Sequence, residues 1–148
     1  MTSTASQSLP ARLLAIDPGA RRTGIALSDE LGMFAHPRPV LTGGDTPEVA
    51  AAIAKLVAAE GVQEVVVGLP LALSGADTDQ TREARALVAE LRRRLPCPVT
   101  VWDERLSSVQ AGRSVKGAAK RKSGELDSAA AAIVLQAVLD SRRTRVQP

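Results

Sequence analysis

Val65-Val66-Val67-Gly68 is an unbroken, mostly β-branched run closed by Leu69-Pro70, and it sits between two stretches with helical periodicity. A run of this kind, with no polar residue alternating, is what a strand buried on both faces requires. Burial on both faces calls for helices above and below the sheet, so the chain reads as a layered α/β protein. The flanking residues supply those helices. Asp45 or Thr46 caps a first one that opens with Pro47, carries Val49, Ala52, Ile53, Leu56 and Val57 on one face, and stops at Gly61. A second is expected over residues 77–95 with Ala84, Leu87, Val88 and Leu91 inward, ended by Pro96 and Pro98.

The rest of the chain adds strands on one side and a helix on the other. Residues 12–17 (RLLAID) form an apolar run that ends in an acid before the turn Pro18-Gly19, and residues 24–29 (GIALSD) return antiparallel to it. Residues 35–41 read as a third strand, placed at a sheet edge because Pro37 and Pro39 cannot donate ladder hydrogen bonds. Residues 99–102 form a fifth strand ending in Asp103-Glu104. Ser107 or Ser108 is placed to cap a short helix after it. The last helix is expected over residues 126–143 with Ala130, Ile133, Val134, Ala137 and Val138 inward. The expected architecture is a mixed five-stranded sheet with helices on both faces, in one domain over residues 11–143. A Ser/Thr-rich tail (1–10) precedes it and a basic tail (144–148) follows.

Composition narrows the function. With 45% apolar and 24% charged residues the chain is ordinary for a globular protein. It has neither a secretory leader nor an apolar stretch of roughly 18 residues, so the expectation is a cytoplasmic protein with no membrane partner. The single Cys97 cannot make an intramolecular disulfide, which fits a reducing compartment. Phe34 and Trp102 are the only aromatics, so the core is aliphatic and recognition of nucleic acid by base stacking is disfavoured relative to reading backbone shape. The net charge is only +3, but it is unevenly placed. Arg105, Arg113, Lys116, Lys120, Arg121 and Lys122 follow one another with no acid among them, and Gly112, Gly117 and Gly124 punctuate the segment. It reads equally as a phosphate-contacting loop or a solvated linker. Arg92, Arg93 and Arg94 read as charges complementing a helix C-terminus.

Strands one, four and five run parallel in this scheme, so Asp17 and Glu104 end strands at one edge of the sheet, where α/β folds place ligands. Asp127, at the start of the last helix, can face the same edge. Three carboxylates there repel one another unless a divalent cation sits among them, and hard oxygen donors suit Mg²⁺ or Mn²⁺. Each acid also has a plainer role: Asp17 as a turn former, Glu104 as half of a surface ion pair with Arg105, Asp127 as a helix N-cap. Glu104 would have to reach across the intervening strand, about 9 to 10 Å of sheet. The turn Asp17 to Gly24 offers Arg21 and Arg22, but the chain holds neither GxxxxGK[ST] nor GxGxxG.

Taken together, DPGARRTGIALSDELG from Asp17, VVVGLP from Val65, VTVWDERLSS from Val99 and LDSAAAAIVLQAVLD from Leu126 resemble the YqgF family, also called RuvX, over nearly the whole chain and in matching order. The resemblance implies an RNase H-like fold related to the RuvC Holliday junction resolvases, and metal-dependent endonuclease chemistry with one or two Mg²⁺ or Mn²⁺ ions. It implies action in 5′-end maturation of pre-16S rRNA, on structured RNA and ribosomal particles, or alternatively on branched DNA as a Holliday junction resolvase. It further implies that Asp17, Glu104 and Asp127 are the catalytic, metal-holding acids, with Asp103 supporting them. Arg21, Arg22, Arg105, Lys116, Lys120, Arg121 and Lys122 are the expected nucleic-acid contacts, Ala20-Arg21 standing where many members have Thr-Lys. The assembly is a monomer or homodimer. Two other classes compete: a nucleotide-binding protein of the actin and sugar-kinase type, which needs a second large subdomain, and a non-catalytic RNA-binding ribosome-assembly factor.

Overall fold

Val65, Val66 and Val67 are each at most 1% exposed, so the strand that carries them is covered on both sides, as the sequence requires. The computed structural model describes residues 11–107 and 123–146, with the backbone alone for 123–127 and 144–146. Its elements are β1 (Leu13–Asp17), β2 (Arg22–Ser28), β3 (Ala35–Thr42), α1 (Thr46–Glu60), β4 (Glu64–Leu69), α2 (Asp79–Arg94), β5 (Val99–Asp103), a 3-10 helix (Glu104–Ser107) and α3 (Ser123–Val146). The expected tail 1–10, any helix begun by Ser108, and the basic residues Lys116, Lys120, Arg121 and Lys122 lie outside the described residues.

The sheet has the order β3-β2-β1-β4-β5. β1, β2 and β3 form an antiparallel meander, while β1, β4 and β5 run parallel. Period-two alternation divides each strand between two cores. Leu14, Ile16, Ile25, Leu27, Val65, Val67 and Val99 face α1 and α2, packing with Ile53, Val57, Leu87, Val88 and Leu91. Leu13, Ala15, Ala26 and Val66 face α3, packing with Ala131, Leu135, Val138 and Leu139. Each fully buried Leu, Ile or Val contributes about 1.5 to 3 kcal/mol relative to exposure, so both layers are needed to hold the sheet.

Local signals set the helix ends. Asp45 accepts from Glu48 N at 3.0 Å while Glu48 accepts from Asp45 N at 2.8 Å, a reciprocal box that starts α1. Gly61 ends α1 with φ 66°, a left-handed position suited to glycine. α2 begins two residues later than its acidic start suggested. Thr78 and Thr81 cap each other, the Thr81 hydroxyl also donates to Pro70 O at 2.6 Å, and Asp77 is left outside the helix in a fork with Arg85.

α3 departs from expectation in its start and in its phase. It begins at Ser123, which places Asp127 inside the helix and excludes the N-cap role, and it continues to Val146 through part of the expected tail. Its buried side is Ser128, Ala131, Val134, Leu135, Ala137, Val138 and Leu139, whereas Ala130 and Ile133 are only half-buried. The segment Ala129 to Leu139 is apolar on every side but for Gln136, so periodicity cannot fix its rotation. Polar anchors do. Ser128 Oγ donates to Arg38 O, Gln136 accepts from Ala35 N at 2.9 Å and donates to Met33 O at 3.0 Å. Arg142 forks onto Glu64 at 2.7 and 2.8 Å, with Thr100 also donating to Glu64 at 3.0 Å. Ser107 closes the 3-10 turn by donating to Glu104 O at 3.1 Å, and the short helix expected after it lies outside the described residues.

The Arg142 fork holds the Glu64 carboxyl below its ordinary value of 4.5, with Coulomb attraction to Arg142 and the Thr100 hydroxyl adding to it and burial opposing it. A carboxylate depressed in the folded state stabilises above its unfolded pKa and loses that stabilisation as pH falls through the folded one. Glu64→Gln is therefore expected to lower stability at pH 7 by about 1 kcal/mol. Urea unfolding repeated at a pH below both values should show the gap between wild type and variant closing.

Candidate metal centre

Parity and register place one row of residues across the α3 face of the sheet. Asp17 pairs with Gly24 of β2, and Gly68 of β4 pairs with Trp102 of β5. The β1–β4 register runs Leu13↔Glu64 to Ile16↔Val67, so one step further Asp17 stands level with Gly68. Odd positions of β1 and even positions of β2 and β4 face α3, as Ala15, Ala26 and Val66 do. The row is thus Gly24, Asp17, Gly68, Trp102, with a residue lacking a side chain on each side of the acid.

Glu104 uses the gap. It starts the 3-10 helix directly after β5, and a Cβ built on Gly68 would lie 2.6 Å from its Oε2, 3.0 Å from its Cγ and 3.2 Å from its Cδ. The carboxylate therefore lies over β4 in the place a side chain of residue 68 would fill, one strand from Asp17. Glycine at 68 is what lets Glu104 cover the distance across the sheet. In the sequence Gly68 reads only as part of a strand, and Gly24 as a strand start and a glycine that lets backbone approach a ligand. The signal available was a glycine inside each strand opposite an acid-bearing strand end, a position that marks close approach of another group.

Two buried side-chain polar atoms among the described residues have no hydrogen-bond partner, Glu104 Oε2 and Trp102 Nε1. Buried polar atoms are nearly always satisfied, and an orphaned carboxylate oxygen is the costlier exception. Both belong to this one corner of the α3 face. A cation ligated by Oε2 resolves the first of them, and a carboxylate is the right donor for Mg²⁺ or Mn²⁺. The described side chains alone offer no group of three or more His, Cys, Asp or Glu suited to a metal ion. The side chain of Asp127 lies outside the described ones, and only the backbone of α3 places that residue.

α3 runs opposite to β4. Arg142 near its C-terminus binds Glu64 at the start of β4, and Ser128 is tied to Arg38, which pairs with Ile25 beside Ile16. From residue 128 to 142 a helix rises about 21 Å, more than the roughly 17 Å of a six-residue strand. The early turns of α3 therefore lie at the C-terminal edge of the parallel strands, where Asp17 ends β1, and α3 also packs on the 3-10 helix.

The remaining expected residues divide in two. Arg21 and Arg22 are exposed at the β1–β2 turn, beside Asp17. Gly19 makes that turn tight, since a Cβ there would meet Arg22 O at 2.4 Å. Arg105 is engaged within the chain, its guanidinium on Asp103 at 2.6 to 3.1 Å and on Leu73 O at 3.1 Å. That fork holds the Asp103 carboxyl below its usual range. Other cations of the body are paired too, Arg12 and Arg38 with Glu60, Arg85 with Asp77, Arg142 with Glu64. Residues 113–122 hold five basic residues and no acid, so the rest of the chain is net negative. The backbone of α3 begins at Ser123, directly after that basic segment, which lies outside the described residues.

Residues 11–141 match the family model described as RuvX: Holliday junction resolvase. Curated relatives include a protein of Koribacter versatilis named "Putative pre-16S rRNA nuclease", 39% identical over 134 residues that span 88% of each chain. A protein of the same name from Thermobifida fusca is 43% identical over 147 residues, 91% of each chain. Among solved structures, Thermus thermophilus RuvC in complex with Holliday junction substrate superposes with a TM-score of 0.61 over 90% of this chain and 96% of that one. At 15% identity this likeness shows the fold alone, which is RNase H-like.

If Glu104 needs the gap at residue 68, Gly68→Ala should leave the protein folded, because the far end of a flexible side chain is what moves aside. Thermal melting is expected to shift little, while Mn²⁺ affinity, read from the electron paramagnetic resonance signal of the free ion, should fall about tenfold or more.

Proposed function

Because the chain belongs to the RuvX family, we propose that it is a metal-dependent endonuclease that hydrolyses phosphodiesters of structured nucleic acid, with the 5′ end of pre-16S rRNA as its first substrate. The observation that carries this reading is the Glu104 carboxylate, seated over Gly68 one strand from Asp17 with a buried oxygen that nothing satisfies. Asp17, Glu104 and Asp127 hold one or two Mg²⁺ or Mn²⁺ ions. A cation held by these residues would supply Lewis acidity for phosphodiester hydrolysis.

The protein's own groups do the rest. The parallel strand ends fix the two acids on one sheet surface, with the Glu104 carboxylate lying over Gly68. Arg21 and Arg22, exposed at the adjoining turn, meet phosphates flanking the scissile bond. Lys116, Lys120, Arg121 and Lys122 add sequence-independent attraction to the backbone. A chain with only two aromatic residues reads the shape of a helix or junction rather than its bases. No helix among the described residues is long and apolar enough to cross a membrane, and we place the protein in the cytoplasm with ribosomal precursors.

The RuvX description and the RuvC-like fold favour four-way DNA junctions as the second substrate. Incubation of wild type with precursor rRNA and with junction DNA in Mn²⁺, beside Asp17→Asn and Asp127→Asn, tests both. Cleavage by wild type, reduced at least a hundredfold in each variant, is expected. Equal cutting by all three proteins would mean that the activity belongs to a contaminant. Replacing Lys120, Arg121 and Lys122 together by Ala should weaken binding on every sequence and lower the slope of log K against log salt by roughly 2 to 3. An unchanged slope would make that segment a solvated linker.

A further inference from the structure

Residues 103 and 105 are tied to each other across Glu104. The Arg105 backbone N–H donates to Asp103 Oδ1 at 2.9 Å. Its Nε donates to Oδ1 at 3.1 Å and Oδ2 at 3.0 Å, and Nη2 donates to Oδ2 at 2.6 Å. The other arm, Nη1, donates to Leu73 O at 3.1 Å. Leu73 lies in the connection between β4 and α2, and its own side chain is 95% exposed, so apolar burial of that side chain does not hold it in place. The connection is closed on itself by Gly75 N to Ala72 O at 2.8 Å and Ala72 N to Ala76 O at 3.0 Å. Gly75 has φ 93°, and a Cβ on it would come within 3.4 Å of Arg105 Nη1. One guanidinium therefore staples the end of β5 to the loop that follows β4.

We propose that Arg105 is a positioning residue for Glu104, acting through Asp103 and Leu73 O, and not a contact to nucleic-acid phosphate. The proposal rests on the metal-centre reading given above. With both neighbours of Glu104 drawn onto one fork, the residue between them is turned to the opposite side, over Gly68. The fork also neutralises Asp103, so that the acid next to Glu104 in sequence does not compete for the cation. A phosphate would have to displace charge-assisted bonds already formed in bidentate geometry, for which there is no local gain.

The two roles predict opposite responses in a pair of variants, Arg105→Gln and Asp103→Ala. Mn²⁺ binding is measured on the full chain by the resonance signal of free Mn²⁺. Binding of precursor rRNA and junction DNA is measured without divalent ion across a salt series. Positioning predicts that both variants lose Mn²⁺ affinity by about tenfold or more, that raising Mn²⁺ restores most of the cleavage rate, and that the salt slope stays at the wild-type value. A phosphate contact predicts the reverse. Arg105→Gln then keeps its Mn²⁺ affinity and loses about 0.9 of salt slope, while Asp103→Ala, freeing the guanidinium, binds nucleic acid more tightly. Circular dichroism checks that each variant is folded, and Arg105 is exposed enough for its replacement to be tolerated. Wild type that binds no Mn²⁺ overturns the metal centre and this proposal with it. Wild type that binds beside variants that bind equally well overturns the staple alone.

Discussion

Parallel pairing of β1, β4 and β5 brings three strand ends to one edge, and everything at the candidate site follows from that pairing. A parallel sheet has to be covered on both faces, and two separate apolar layers do so, α1 and α2 on one side and α3 on the other. The cover over the α3 face then carries the last acid to the edge where Asp17 ends β1. Packing and site are in this sense one arrangement, because the helix that buries Ala15, Ala26 and Val66 is the helix that contains Asp127.

Electrostatic cost is handled by spacing and by pairing. Acids elsewhere in the body meet arginines, as Glu60, Glu64, Asp77 and Asp103 do. Glu104 is treated differently, with one oxygen buried and unpaired above a glycine. Buried carboxylate oxygens are nearly always satisfied, and a hard cation is one ligand whose chemistry suits such an oxygen. Asp103 and Glu104 are adjacent in sequence and opposite in environment, the one paired with Arg105 and the other with a buried oxygen that has no hydrogen-bond partner.

Much of the fold was legible in the residues. Val65 to Val67 required a doubly covered strand, Pro37 and Pro39 put β3 at the edge, and Asp45 or Thr46 with Pro47 marked the start of α1. The phase of α3 was not legible, because an almost wholly apolar segment such as Ala129 to Leu139 has no polar side from which to read rotation. Ser128, Gln136 and Arg142 set it through partners nearly eighty residues or more away in sequence. The start of α2 was missed for a related reason. Asp77 reads as the approximate first residue of the helix, yet Thr78 and Thr81 cap each other and Asp77 is drawn to Arg85 instead.

The sequence by itself determined the layer architecture, the succession of strands and helices along the chain and the acids at strand ends, since these depend on local periodicity and on turn chemistry that neighbouring residues decide. Tertiary structure alone decided how Asp17 and Glu104 share a surface. The register between β1 and β4 puts Gly68 level with Asp17, and the absence of one Cβ there gives the Glu104 carboxylate its place. It also decided that Arg105 faces Asp103 and Leu73 within the chain, a contact between segments about thirty residues apart that no spacing rule connects.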